Sequence, residues 1–134
     1  AVLMPIVASM GGNAGTQAMT IYVRAIATKD LVGSRYINLI VKEFLIGSIN
    51  GFLLSIIMGI IAYFWFDNLM LAFAVGVSIL INLGFACLFG ILIPITMNKL
   101  KIDPALASGI ILTTFTDVFG FLSFLSIATY IINF

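Results

Sequence analysis

Asp117 is the residue with the most chemistry to offer, because it stands inside the apolar run 109–120, GIILTTFTDVFG. A carboxylate at membrane depth costs roughly 2.5–3.5 kcal/mol on insertion scales, so something must compensate it. Helical spacing places Gly109, Thr113, Thr116, Asp117 and Gly120 on one small, polar face, since residues three and four apart stack along a helix. Ile111, Leu112, Phe115, Val118 and Phe119 form the apolar remainder. Set in such a stripe, a carboxylate can hold a hard cation, carry a proton, or pair with a basic group on a partner helix. A second polar cluster stands at 11–17, GGNAGTQ, where Asn13, Thr16 and Gln17 add side-chain oxygens. Two adjacent glycines cost about 1 kcal/mol each in helix propensity. The motif therefore predicts a helix broken at Gly11, Gly12 and Asn13, its freed backbone groups turned to a cavity; a kink or a close helix crossing is the plainer alternative.

Other chemistries are excluded by what the chain lacks. It has no histidine and one cysteine, Cys87, which removes the usual zinc and transition-metal ligands and any disulfide within one chain. A metal handled here is a hard one bound through oxygen. An enzyme is the weakest reading, because no Cys-His pair and no second carboxylate at membrane depth is there to do acid-base work. Six basic residues against five acidic ones make no nucleic-acid patch.

The elements that position these groups are membrane helices. Of 134 residues 63% are hydrophobic and 8% charged, with a mean hydropathy of +1.27, more apolar surface than a soluble domain of this size can hide. Unbroken apolar runs without alternation exclude a β-barrel. At about 20 apolar residues per crossing, the length permits four spans in one transmembrane domain, 1–134. The expected class is an all-α membrane bundle with spans at about 2–28, 44–66, 69–97 and 104–133. Residue 1 is Ala and an apolar run begins at once, so we expect a fragment that lacks upstream material.

From Arg24 to Glu43 the chain carries Arg24, Lys29, Asp30, Arg35, Lys42 and Glu43, more than half of the formal charges, which marks a cytoplasmic connection. Gly33-Ser34 reads as a break and helix cap, and Tyr36, Ile37, Ile40, Val41 and Phe44 as an amphipathic approach to the second span. Glu43 sits at the mouth of that span, where it can pair with Lys42 or Arg24 or meet a cation. Gly47, Gly51, Ser55 and Gly59 form a packing groove, for a helix of the same chain or of a second copy. Tyr63 to Phe66 form an aromatic girdle before the polar turn Asp67-Asn68. In the third span Gly76, Gly84 and Gly90 permit close contacts, Asn82 suits an interhelical hydrogen bond, and Pro94 should bend or end the last turn. Asn98, Lys99 and Lys101 return the chain to the cytoplasmic side. Asp103 then caps the fourth span with Pro104 at its first position. From Asp103 to Asp117 the helix rises roughly 20 Å, well into the hydrocarbon, and its end near Phe134 falls on the non-cytoplasmic side.

Three stretches, PIVASMGGNAGTQAMTIYVRAIATKDL at 5–31, VKEF at 41–44 and DPALASGIILTTFTDVFGF from Asp103, together resemble the MgtE family of magnesium channels, also related to solute carrier family 41. The resemblance covers nearly the whole chain in the expected order. It implies a homodimer with five membrane helices per subunit and a pore along the dimer axis. The first helix and the upstream magnesium-sensing domains would then be missing here. It further implies that Asp117 is the pore aspartate that holds hydrated Mg2+ with its symmetry mate. Gly12 and Asn13 would be the broken-helix motif near that ion, Thr113 would offer a carbonyl or hydroxyl to the pore, and Asp103 would lie near the cytoplasmic entrance. Thr16 departs from the family, in which many relatives have Asn.

Magnesium also fits the residues on physical grounds, because Mg2+ dehydrates reluctantly and is commonly held by one or two carboxylates through retained water. One aspartate per chain suffices if a two-fold axis brings two together. The expected function is a divalent cation channel of the cell membrane, passing hydrated Mg2+ down its electrochemical gradient, with Mn2+, Co2+ and Ni2+ close in size. Its partners would be a second copy and the lipid bilayer. Two rivals stay open: a proton-coupled small-molecule exporter with Asp117 as proton carrier, and a structural membrane subunit in which Asp117 pairs with a basic helix.

Overall fold

A computed structural model describes residues 2–29 and 36–133, which form four helices: α1 (Met4–Ala27), α2 (Tyr36–Phe66), α3 (Leu69–Lys99) and α4 (Pro104–Ile132). The ends follow local chemistry. Asn68 caps α3 by accepting the Leu71 N–H at 3.0 Å, and Asp103 caps α4 by accepting the Ala105 N–H at 3.0 Å, with Pro104 next. The Asp103 cap stands where the sequence places it, while Asn68, read in the sequence as part of a polar turn, proves to be a cap as well. The Gly33-Ser34 break lies outside the described residues.

Helix α3 is the centre, packing on all three others, while α1 and α4 also pack on each other. Val75, Ile79 and Leu83 of α3 meet Val7 of α1 and Phe124 of α4 in the core, and a second patch joins Tyr22, Ile91 and Ile95 to Tyr36, Leu39 and Ile40. The α2 glycine groove is occupied within the chain. Gly47 lies on Cys87 and Leu83, and Gly51 on Leu80, which brings α2 and α3 together antiparallel. The outward faces of α2 and α4 carry Ile49, Phe52, Ile57, Ile110 and Leu122, all exposed, as suits contact with lipid acyl chains.

One sequence expectation is corrected and three are refined. First, α1 is not broken: it runs as one helix through Gly11, Gly12 and Asn13. Close approach explains the glycines instead. A Cβ on Gly11 would collide with the Asn82 amide, and one on Gly15 would stand 3.0 Å from the Ala86 carbonyl oxygen. Second, of the two outcomes open for Pro94, it does not end α3, which continues to Lys99 with the proline fully packed; membrane helices tolerate such a residue where neighbours support the freed backbone. Third, the amphipathic approach from Tyr36 and the second span form one helix, so Glu43 is inside a continuous helix. Fourth, among the described residues three helices, α2, α3 and the 108–132 part of α4, are long and apolar enough to cross a membrane. Helix α1 is diluted by Asn13, Thr16, Gln17 and Thr20 and falls outside that set, although its 24 residues would reach about 36 Å.

Candidate functional site

The α4 stripe divides by depth. Thr116 and Gly120 are buried, Asp117 is half-buried, and Thr113 is exposed. Each threonine satisfies its hydroxyl on its own helix: Thr113 Oγ1 donates to the Gly109 carbonyl at 2.9 Å, and Thr116 Oγ1 to the Thr113 carbonyl at 3.1 Å. No hydrogen bond or ion pair engages the Asp117 carboxylate among the described residues. It therefore stands half-open at the edge of the bundle with its acceptor capacity free.

Helix α1 meets this turn of α4 through Gly12, where a Cβ would lie 3.7 Å from Thr116 Oγ1. One turn nearer the start of α1, Ala8 abuts Gly120, so the two helices touch closely on both sides of Asp117's level. The Gly12 carbonyl accepts from Thr16 Oγ1 at 2.7 Å, and Asn13, Thr16, Gln17 and Thr20 form an exposed polar row beside it. Gly12, Asn13, Thr113 and Asp117 thus belong to one region of the α1–α4 seam. A groove of about 430 Å³ between the same helices, bordered by Thr20, Arg24, Ser108 and Gly109, extends the seam toward the end that carries Arg24. Asp103 is not part of that region. Its carboxylate is exposed and caps α4, roughly 20 Å along the helix from Asp117.

Behind the seam, Asn82 of α3 is completely buried and donates from Nδ2 to the Val7 carbonyl of α1 at 2.7 Å. This is the interhelical bond its position predicts. Its Oδ1 is a buried acceptor without a partner among the described residues. The donor set suits a hydrated hard cation. It consists of one free carboxylate with hydroxyl and amide groups at its flank, and no cluster of three or more His, Cys, Asp or Glu is found among the described residues. A single chain thus offers one carboxylate, open on its outer side.

The sequence reading understated Glu43. It is buried in α2 and accepts a hydrogen bond from Tyr22 of α1, not from Lys42 or Arg24, both of which are exposed. Twenty-one residues separate the pair, so no local spacing could have joined them. The available signal was the apolar run that starts at Tyr36 and carries Glu43 into the span.

Comparison with known proteins gives a consistent result. A family model described as MgtE, a divalent cation transporter, matches residues 4–127. A protein of Bacillus subtilis named "Magnesium transporter MgtE" is 35% identical over 133 residues, covering 99% of this chain and 30% of the relative. Relatives of the same name from Enterococcus faecalis and Thermus thermophilus are 38% and 35% identical, over 96% and 93% of this chain and 28% of each relative. The chain therefore spans under a third of the length of these curated relatives.

Proposed function

This chain belongs to the MgtE family of divalent cation transporters, and on that premise we propose that it forms the ion-conducting transmembrane domain of a magnesium channel. Hydrated Mg2+ passes down its electrochemical gradient through a pore at a two-fold axis between copies, with Asp117 at its centre. The observation that carries this reading is the free, half-exposed Asp117 carboxylate beside exposed Asn13, Thr16, Gln17 and Thr113. Hydrocarbon cannot satisfy such a row, whereas water and a facing copy can. Helix α1 then serves as a span despite its polarity, because its polar side faces the pore.

The two facing carboxylates attract a divalent cation while the ion keeps its inner water. Asp117 supplies the charge, and Asn13 and the Thr113 hydroxyl, which keeps acceptor capacity, take hydrogen bonds from that water. Gly12 leaves the space beside Thr116 free of a side chain. Asp103, at the cytoplasmic end of α4, adds negative charge at the entrance. Entry at an inside-negative potential gains about 4.6 kcal/mol per 100 mV for a divalent ion. Mn2+, Co2+ and Ni2+, similar in size, compete for the same site. The assembly lies in the cell membrane with the end of α4 on the non-cytoplasmic side, as the basic residues at the α1–α2 and α3–α4 connections favour.

The test is Mg2+ uptake by the full-length protein in liposomes at fixed membrane potential without a pH gradient. We expect potential-dependent uptake that falls at least about tenfold in Asp117→Asn. Uptake that requires a proton gradient, or that survives the substitution, would favour the proton-coupled exporter or the structural subunit instead.

A further inference from the structure

Glu43 is 8% exposed about two turns into α2, and its Oε1 accepts the Tyr22 hydroxyl at 3.0 Å. An ionisable group in a membrane bundle is costly and calls for a purpose. Tyr22 is the last residue of the buried α1 stripe Val7, Ala8, Gly11, Gly15, Ala18 and Tyr22. Most of that stripe is glycine and alanine, and it lies against the backbone of α3: a Cβ on Gly90 would stand 2.6 Å from the Gly15 carbonyl oxygen. Small-residue contacts bring helices close but offer few projecting side chains to fix rotation. Two hydrogen bonds supply that registration, Asn82 to the Val7 carbonyl at one end of α1 and Tyr22 to Glu43 at the other. Gly12 and Asn13 lie between the two pins, and the polar row turned away from α3 carries Asn13 and Thr16.

We propose that Glu43 is a positioning residue for the cation site: as hydrogen-bond acceptor for Tyr22 it fixes the rotation of α1, and with it the placement of Gly12 and Asn13 beside Asp117. This rests on the reading of Asp117 as the cation site. Glu43 acts from inside the bundle, on the side of α1 away from the exposed polar row, and touches no ion.

The test uses the full-length protein in liposomes, with Mg2+ uptake measured across Mg2+ concentrations at fixed potential. Tyr22→Phe removes one oxygen and no volume, and we expect it and Glu43→Leu each to raise the half-saturating Mg2+ about fivefold. Glu43→Gln keeps an acceptor for the hydroxyl and should stay within about twofold of the parent. The double variant Tyr22→Phe/Glu43→Leu should be no worse than the poorer single variant, because the two residues make one interaction. A Glu43→Gln protein as impaired as Glu43→Leu would overturn the proposal by showing that charge is required. Variants that merely yield less folded protein, with half-saturation unchanged, would overturn it too. Asp117→Asn run alongside separates the two readings. If it retains uptake, the pore assignment fails; if it abolishes uptake while Tyr22→Phe keeps the parental half-saturation, only the positioning role fails.

Discussion

Helices α1 and α2 both place small residues against α3, but they turn different faces to the outside. On α2 the outward side is Ile49, Phe52, Ile57 and Ile60, and its glycines simply let it lie on α3. On α1 the outward side is Asn13, Thr16, Gln17 and Thr20; Gly11 and Gly15 let the helix lie on α3, and Gly120 of α4, closed on Ala8, brings that polar row up to the Thr116-Asp117 turn. The same device, removal of Cβ, thus lies behind an apolar outer face in one helix and a polar one in the other. The lesson is that a glycine motif in a membrane helix takes its meaning from what the opposite face carries.

Substitutions at the glycines sharpen this contrast. The largest loss is expected at Gly90, where a Cβ would press on the Gly15 backbone and Ala18; Gly90→Ala should cost about 3 kcal/mol in reversible unfolding from mixed micelles. Gly11→Ala should cost about 2 kcal/mol in the same assay, because the Asn82 side chain must move and release the Val7 carbonyl. Gly12→Ala divides stability from transport. Its Cβ finds ordinary contact with Thr116, so folding should change by less than about 0.5 kcal/mol while Mg2+ uptake falls several-fold. The smallest effect is expected at Gly59 on the α2 side, where a Cβ would be 3.5 Å from the Ala72 carbonyl oxygen; Gly59→Ala should gain about 0.5 kcal/mol and leave uptake unchanged. Equal transport effects at Gly12 and Gly59 would erase the distinction between the two helices.

Much of this was legible in the sequence because it is written in local rules. The Asp103 cap follows from residue type next to an apolar run, and the polar face of α4 from spacings of three and four. What failed depended on neighbours. Gly11-Gly12-Asn13 reads as a break when α1 is considered alone, and only the Asn82 amide and the Ala86 carbonyl show why α1 must lack a Cβ at Gly11 and Gly15 while staying intact. Neighbours also bear on Pro94 and Glu43: the one is fully packed within a continuing helix, and a tyrosine on α1 satisfies the other. Propensity fixes ends and faces well, but whether an unusual residue breaks a helix or packs it is decided by tertiary contact.

The central claim is that the outer α1–α4 seam lines a water-filled cation path whereas the outer side of α2 faces lipid. The most direct measurement is the reaction rate of a membrane-impermeant thiol reagent with Thr113→Cys and with Ile57→Cys, each in full-length protein freed of its other cysteines and reconstituted in liposomes. We expect Thr113→Cys to react at least about tenfold faster, to be slowed by Mg2+, and to lose uptake once modified. Equal rates at the two positions, or a Thr113→Cys reaction indifferent to Mg2+, would contradict it.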